Sequence, residues 1–209
     1  MIQEKLTRDF YERDTLLVAR ELLGMYLVHN SEEGRVVGKV VETEAYIGPD
    51  DAASHGYRNR MTKRNRVMFG PAGYAYIYQI YGMYFCLNVV SGKIDVPEAV
   101  LIRGAEPVEG IEIMAQRRGL AGNPGSDPFR LTNGPSKLCR AFALDASLSG
   151  ADLCGDGLFF THADSPETFE VKATPRINVD YAGLSADLPW RFIVVGNRFV
   201  TPHMFNRLP

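Results

Sequence analysis

The chain has 209 residues, of which 45% are hydrophobic and 23% are charged, and its formal net charge is -2 at pH 7. This composition is typical of a globular protein, and it excludes a disordered chain, a collagen-like repeat and a coiled coil. The net charge excludes a uniformly basic nucleic-acid binder, although it permits a locally basic surface.

We predict one domain over residues 1–209, because no repeat or clear linker divides the chain. Three cysteines are too few for a disulfide scaffold, and their odd number predicts free thiols in a reducing compartment. The N-terminal segment is charged throughout and does not resemble a secretory signal. Residues 67–92 lack charge, but their glycines, proline and five tyrosines argue against a membrane helix. We therefore expect a cytoplasmic protein.

The predicted elements are a few helices and many short strands. Asp14 is typical of a helix cap, and Gly24 can end the helix that follows it. Further helices are predicted over residues 107–118 and 135–144, and a loop over residues 119–127. The predicted strands cover residues 25–28, 36–46, 74–80, 85–90, 99–103, 168–171, 176–179 and 191–195. The two tyrosine-rich strands flank a four-residue turn at residues 81–84, which is a hairpin signal.

Most of these strands lie within hairpin distance of one another along the chain. We therefore predict an α+β fold with a mainly antiparallel, curved sheet, helices packed outside it and a protruding β-hairpin.

The strand over residues 40–46 carries the first candidate site. Alternation places Glu42, Glu44 and Tyr46 on one face. These side chains either face solvent from a half-buried sheet, or one carboxylate serves as an acid or base above an aromatic platform. Same-face neighbours lie about 7 Å apart, which also permits a carboxylate pair of the glycoside-hydrolase type.

A basic segment follows this strand. No acidic residue occurs between Asp51 and Asp95, and five cations fall close together, namely Arg58, Arg60, Lys63, Arg64 and Arg66. Such a run is either a solvated loop or the local footprint of a polyanion.

Five tyrosines lie within residues 74–84. Tyr74 and Tyr76 suit a core strand whose hydroxyls find partners. Exposed aromatics at a hairpin tip, such as Tyr81, more often mark binding, and a wedge of this kind can enter a DNA minor groove and separate stacked bases. Side chains deeper in the strand could hold an extruded base.

Several motifs together resemble one family. Five segments occur in one order from about Thr15 to Cys139: VETEAY-x-GP-x-D-x-A-x-H, RNR-x-MF, YIYQIYGMYFCLN, LIRGAEP and NGPSKLC. A weaker similarity follows at residues 191–196. This combination resembles the alkyladenine DNA glycosylases, also called 3-methyladenine or N-methylpurine DNA glycosylases. The match is poor over residues 141–190, and the loop over residues 90–99 is slightly longer than in mammalian members.

The resemblance implies a monofunctional enzyme of base excision repair that flips alkylated or deaminated purines out of duplex DNA and hydrolyses the N-glycosidic bond. It implies no cofactor and no metal, and it fits a monomer that is associated with the nucleoid if the source is prokaryotic. The implied catalytic residues are Glu44, which activates water, and Arg103, near the water and the lesion phosphate.

The resemblance also implies the remaining roles. The base pocket would comprise Tyr46, Ala53, His55, Tyr78 and Asn88, with Asn88 crowding the exocyclic amine of guanine. The DNA wedge would comprise Tyr81, Met83 and Tyr84. Together with the basic run, Ser136 and Lys137 are candidates for contact with the DNA backbone, although the same two residues could simply cap a helix.

Elementary chemistry agrees with these implications. A carboxylate can polarise water and stabilise the oxocarbenium-like sugar, and a cationic alkylated base gains cation–π attraction from aromatic side chains. No lysine accompanies Glu44 in its motif, so we do not expect a Schiff base or strand cleavage. Two alternatives stay open, a non-catalytic DNA-damage-binding protein and a metal-dependent nuclease that uses the same acidic residues.

Overall fold

In a computed structural model, residues 4–122, 127–163 and 168–207 are described, and they form an α+β fold around one curled antiparallel sheet. The strands are β1 (Tyr26–Ser31), β2 (Gly34–Ile47), β3 (Ala75–Ile80), β4 (Tyr84–Ser91), β5 (Glu98–Glu109), β6 (Leu158–Thr161), β7 (Val171–Thr174) and β8 (Arg191–Val194). The helices are α1 (Arg8–Tyr11), α2 (Thr15–Glu21), α3 (Ile111–Arg118) and α4 (Pro135–Ala141). Short 3₁₀ helices join them, the longest at Asp180–Asp187.

Strand β2 organises the sheet. The strand order is β3-β4-β5-β2-β1-β6, and β8 pairs with both β2 and β7. One edge of β2 pairs with β5 along its length, whereas the other pairs first with β1 and then, at Glu42–Glu44, with β8. The register with β5 shifts on both sides of Glu42. Such irregularities bend a strand and re-aim its side chains.

The helices cover one face of the sheet. Val18 of α2, Met114 of α3 and Leu138 of α4 belong to the main hydrophobic core, together with alternate strand residues such as Leu87 and Ile102. The residues between them, including Tyr76, Asn88 and Arg103, point to the opposite face. The functional side chains therefore lie on the face that the main core leaves free.

The predicted α+β class, antiparallel sheet and protruding hairpin are confirmed, and so is the Asp14 cap, whose carboxylate accepts a hydrogen bond from Leu17 N at 3.1 Å. The hairpin loop is shorter than predicted, because Tyr84 already pairs with Ile80. None of the helices in the described residues is long and apolar enough to cross a membrane.

Three predicted elements are wrong in type or extent. The helix expected from residue 107 begins at Ile111, because residues 107–109 extend β5 along β2 and Gly110 makes the turn with a positive φ. The strand expected at residues 176–179 does not form, since Arg176 and Ile177 bind Asp51 and Glu44 instead. The strand expected at residues 168–171 lies further on, as β7, and β6 was not predicted.

Smaller differences concern the ends of elements. The strand predicted at residues 99–103 is the middle of the longer β5, and α4 ends at Ala141 rather than at residue 144. The predicted loop over residues 119–127 lies outside helices and strands where it is described, and residues 123–126 lie outside the described residues.

The cap of α2 gives a stability prediction. Asp14→Ala leaves an amide of the first turn without its acceptor, so we expect the free energy of unfolding to fall by about 1 kcal/mol. Asp14→Ser keeps a capping oxygen and is the matched control, with a loss of a few tenths of a kcal/mol at most. Urea unfolding of both variants checks this, and equal stability of Asp14→Ala and the wild type would contradict it.

Candidate active site

A cavity of about 690 Å³ opens on the free face of the sheet. A volume of this size suits one small-molecule or nucleotide ligand. Its wall brings together most of the predicted site residues: Tyr46, Ala53, His55, Tyr78, Tyr81, Tyr84, Asn88, Arg103, Ser136 and Lys137. Glu44 is not in the wall but lies directly behind it.

Glu42 and Glu44 are both fully buried, and Arg103 lies between them. Its Nε is 3.2 Å from Glu42 Oε1 and its Nη1 is 3.1 Å from Glu44 Oε2. The interpretation that these carboxylates face solvent is therefore wrong. Their shared direction is confirmed, because one guanidinium reaches both.

Glu42 is enclosed by partners. Besides Arg103, it receives Arg191 Nε at 2.7 Å, and its Oε2 accepts Thr201 N and Oγ1 at 2.7 and 2.6 Å. Burial raises the pKa of Glu42, but the two arginines and Thr201 outweigh it and hold that pKa below its usual value. Glu42 is thus an ionised structural anchor and is not available as the second carboxylate of a glycoside-hydrolase pair.

Glu44 borders the cavity through its hydrogen-bond partners. Its Oε1 accepts Ile177 N at 2.8 Å, and its Oε2 accepts the Tyr46 hydroxyl at 2.8 Å in addition to Arg103. Tyr46, Arg103 and Ile177 all contribute to the cavity wall. Each of these three residues therefore links the Glu44 carboxylate to the cavity wall through one hydrogen bond.

His55 and Tyr78 form one aromatic wall. Their ring centroids are 4.5 Å apart in an edge-to-face arrangement, and His55 Nδ1 is 2.8 Å from the Tyr76 hydroxyl. Although His55 is exposed where it lines the cavity, partial burial of its imidazole and the nearby charge of Arg64 lower the pKa of His55 to about 4. His55 is therefore neutral near pH 7, and the wall carries no charge of its own.

Arg64 differs from the other cations of the basic run. Its guanidinium lies over the Tyr78 ring, 4.9 Å from the centroid, and donates to Gln79 O at 2.9 Å. Arg64 therefore supports the aromatic wall from outside. Asn65 fixes the loop by donating to His55 O and Arg60 O at 2.7 and 2.9 Å. The other cations of this run, Arg58, Arg60, Lys63 and Arg66, are exposed.

Arg176 supports Tyr46 from behind. It forms a two-pronged ion pair with Asp51 at 2.5 and 2.8 Å and lies 4.8 Å from the Tyr46 ring centroid. Asp51 in turn accepts Ala53 N at 3.0 Å. The Asp51 carboxylate is therefore committed to an arginine and is not available to a metal ion. It also fixes Ala53 at the edge of the cavity.

Asn88 lies in the cavity wall with its side-chain amide held by main-chain carbonyls. Its Nδ2 donates to Tyr76 O at 3.1 Å and to Cys86 O at 3.4 Å. The side chain is 3% exposed. The amide is consequently a fixed part of the wall, whatever role it has towards a ligand.

The hairpin tip projects beside the cavity. Tyr81 is 83% exposed, Met83 66% and Tyr84 44%. Tyr81 has a φ of +50°, and Gly82 follows with +70°. A positive φ is uncommon for a bulky residue and tends to occur at functional positions. The turn thus holds a large aromatic side chain outward at a cost in backbone strain.

A second group of cations borders the cavity from α3 and α4. Lys137 Nζ donates to Asn133 Oδ1 at 2.7 Å, and Arg118 and Arg140 donate to main-chain carbonyls. These acceptors are neutral, so the hydrogen bonds do not balance the positive charges. Burial, together with neighbouring arginines, lowers the pKa of both Arg118 and Lys137. An anion at this edge would relieve the mutual repulsion.

The sequence model of the methylpurine-DNA glycosylase family matches residues 9–198. The chain belongs to this family. It is accordingly a DNA glycosylase, a hydrolase of N-glycosyl bonds that acts in base excision repair. The match includes residues 141–190, where the motifs alone show little resemblance, and that segment contributes Arg176 and Ile177 to the site.

Curated relatives agree with the family match. A protein from Alkaliphilus oremlandii is 48% identical over 202 residues, which cover 94% of this chain and 98% of the relative. One from Desulfitobacterium hafniense is 46% identical and covers 95% and 98%. One from Methanocella arvoryzae is 51% identical over 187 residues and covers 90% of each chain. All three are named as proposed 3-methyladenine DNA glycosylases.

Sequence reasoning missed several residues of the site. Arg176, Ile177, Arg191 and Thr201 all bind the buried carboxylates from the last quarter of the chain. One signal was present: Arg191 precedes the apolar run Phe192–Ile193–Val194, and a charge beside a buried strand needs a partner. The partner itself could not be identified, because it lies about 150 positions earlier in the sequence.

The Glu42 cluster predicts a pH-dependent stability. Glu42→Gln leaves two buried arginines short of a counter-charge, so we expect the free energy of unfolding at pH 7 to fall by about 3 kcal/mol. Because the pKa of Glu42 is lowered by folding, its contribution is full above the usual carboxyl pKa and is lost as the pH falls through the folded-state value. The variant should therefore lose less stability than the wild type on acidification.

Urea unfolding at about pH 7 and at about pH 4 measures both effects. The control is Glu33→Gln, which removes a carboxylate that is 66% exposed from its pair with Arg117 and should cost less than about 1 kcal/mol. A Glu42→Gln protein as stable as this control would contradict the structural role of Glu42.

Proposed function

We propose that the cavity receives a single damaged purine nucleotide extruded from duplex DNA and that Glu44 directs water to its N-glycosidic bond. The observation that carries this proposal is the position of Glu44: a buried carboxylate, bonded to Arg103 and Tyr46, directly behind a nucleotide-sized aromatic cavity. All of these groups come from one chain, which is consistent with a monomer.

The aromatic walls suit a cationic base. Tyr46 would stack on one side of the purine, and the edge-to-face pair of His55 and Tyr78 would form the other side. Because His55 is neutral at physiological pH, its imidazole places no like charge against a base alkylated at N3 or N7. Cation–π attraction then contributes about 0.5–2 kcal/mol, depending on desolvation.

Glu44 must meet water for hydrolysis to occur. Among the described residues, its Oε1 accepts only Ile177 N and can take a further donor, but Glu44 has no exposed surface in the free protein, so a water molecule needs an opening to reach it. Arg103 and Tyr46 both line the cavity, so a ligand that shifts either side chain gives water access to the carboxylate. In this scheme the sugar enters beside Arg103, water takes a position against Glu44, and the carboxylate both removes a proton and stabilises the positive sugar.

The polar wall would set selectivity. Asn88 is fixed by two carbonyls and cannot easily withdraw, so a purine with an amine at the 2-position would overlap it, whereas hypoxanthine would not. This steric argument supports the exclusion of normal guanine. The proposed substrates are alkylated and deaminated purines.

The cations would hold the duplex. The exposed residues Arg58, Arg60, Lys63 and Arg66 lie on one side, and Lys137, with its neighbour Ser136, lies at the cavity edge beside Arg118 and Arg140. Contacts of this kind fix the position of the backbone without reading its sequence. The hairpin tip, with Tyr81 foremost and Met83 and Tyr84 beside it, would fill the space that the extruded base leaves.

Glu44→Gln tests the proposed chemistry. The substitution keeps the shape of the side chain but removes the base, so we expect single-turnover base release to fall at least about 100-fold. Binding of lesion-containing duplex should persist. The exposed Glu33→Gln variant should release the base at the wild-type rate.

Three results would count against this scheme. Undiminished release by Glu44→Gln would exclude the catalytic role. Lesion binding without any release by the wild type would favour a damage-binding protein, and strand cleavage abolished by EDTA would favour a metal-dependent nuclease.

Tyr81→Ala tests the wedge. Removal of the ring leaves the gap in the base stack unfilled. Extruding a base costs a few kcal/mol of stacking, and we expect the Tyr81 ring to recover part of that cost. The preference for lesion over undamaged duplex should therefore fall about 10-fold. A fluorescent reporter base beside the lesion measures extrusion. Tyr81→Phe keeps the ring and should behave as the wild type, and unchanged extrusion in Tyr81→Ala would assign Tyr81 to the ordinary surface.

A further inference from the structure

The buried charges around the cavity balance one another. Among the described residues, three guanidinium groups and three carboxylates are buried: Arg103, Arg176, Arg191, Glu42, Glu44 and Asp51. Four of them form the cluster of the two glutamates, and the remaining two, Arg176 and Asp51, form a separate two-pronged pair at 2.5 and 2.8 Å. The scheme above gives this separate pair no role towards the bound base.

The guanidinium of Arg176 lies directly behind an aromatic ring of the cavity wall. It is 4.8 Å from the centroid of the Tyr46 ring, and Tyr46 belongs to the wall whereas Arg176 does not. The ring therefore has a buried positive charge on one side and the cavity on the other. A purine that stacks on the open side at about 3.5 Å would lie roughly 8 Å from the guanidinium.

An uncancelled charge in this position would oppose the binding of a cationic base. At an effective dielectric constant of about 20–30, two unit charges roughly 8 Å apart change an affinity by about 10- to 30-fold. The same Tyr46 ring would also have to attract two cations, one on each face. A neutral base would meet neither penalty. The charge behind Tyr46 therefore affects cationic and neutral purines differently.

Asp51 is the charged group that contacts Arg176. The other hydrogen bonds of the guanidinium lead to neutral main-chain carbonyls, from Nη1 to Ala45 O and from Nη2 to Ser185 O, both at 2.9 Å. These carbonyls satisfy the guanidinium protons, but they leave its charge unchanged. The Asp51 carboxylate is consequently the group that cancels the charge.

We propose that Asp51 and Arg176 set the charge specificity of the cavity: the Asp51 carboxylate cancels the Arg176 charge behind Tyr46 and leaves the open face of that ring available to cationic purines. Neither residue touches the base, so both are positioning residues that act through Tyr46. This assignment rests on the proposed function, in which the extruded base stacks on Tyr46.

The test compares two duplexes that differ in the charge of one base. One carries hypoxanthine, which is neutral, and the other carries 7-methylhypoxanthine, which is a cation; neither base has a 2-amine. Both stand on a 2′-fluoroarabino sugar, whose fluorine disfavours the oxocarbenium-like state and so prevents release during the measurement. Competition of each duplex against one labelled lesion duplex gives the ratio of the two affinities. This ratio does not depend on the fraction of active protein.

We expect the two single substitutions to shift this ratio in opposite directions. Asp51→Asn leaves the Arg176 charge uncancelled, so the preference for the cationic over the neutral base should fall about 10-fold. Arg176→Gln leaves the Asp51 carboxylate, which still accepts the amides of Ile47 and Ala53, so the preference should rise about 10-fold. The double variant has neither charge and should keep the wild-type preference.

A matched control lies outside the cavity. Arg8 Nη2 donates to both oxygens of Asp152 at 2.7 Å, and its guanidinium lies 4.7 Å from the centroid of the Tyr74 ring. None of these three residues belongs to the cavity wall. Asp152→Asn thus removes a carboxylate from the same kind of group, and it should leave the ratio of affinities unchanged.

Unchanged ratios in both single variants, or shifts in the same direction, would overturn the assignment. Thermal melting checks that each variant folds. If Asp51→Asn does not fold, Arg176→Gln and the double variant decide the question, because a fall in the first or a shift in the second would equally overturn it.

Failure of the proposed function would look different. A wild-type protein that bound neither lesion duplex more tightly than an undamaged duplex would contradict the proposed function, and the assignment would be wrong with it. A wild type that prefers the lesions, together with variants whose ratios do not shift, would leave the proposed function intact.

Discussion

The fold of this protein must neutralise two carboxylates that are buried inside its sheet. Glu42 and Glu44 have no exposed surface, and a buried carboxylate without partners is too costly to keep ionised. Arg103 bridges the two carboxylates, and Arg191 pairs with Glu42. The main-chain amide of Thr201 donates to Glu42, and that of Ile177 donates to Glu44. The strands β5 and β8 and the chain beyond them are thereby drawn to one point on β2.

The same strand gives its two carboxylates different environments. Each oxygen of Glu42 accepts two hydrogen bonds, from two arginines and from Thr201, which leaves it no acceptor position for a ligand. Glu44 has its main partners in the wall of the cavity itself, so a ligand that disturbs Tyr46 or Arg103 also changes the environment of Glu44. In our scheme this difference assigns structure to one residue and chemistry to the other, although both have the same side chain and burial.

Local patterns predicted much of this arrangement. Period-two alternation placed Glu42, Glu44 and Tyr46 on one face, the capping rule located α2, and aromatic and glycine residues located the hairpin. Local patterns failed where distant partners decide the conformation. Residues 176–179 have strand propensity, yet Arg176 leaves the sheet to pair with Asp51, and Pro107 continues a strand because β2 is long enough to pair with it. Such outcomes depend on contacts more than 65 positions apart, for which a single sequence provides no register.

In our scheme, Glu44 meets the attacking water only when a nucleotide occupies the cavity. A crystal structure of the protein with a duplex that carries an uncleavable analogue of a damaged purine nucleotide tests it most directly. We expect an extruded base between Tyr46 and the His55–Tyr78 wall. We also expect an ordered water that lies within hydrogen-bonding distance of Glu44 and faces the anomeric carbon. An occupied cavity in which Glu44 keeps all its present partners, with no water between it and the sugar, would contradict the account.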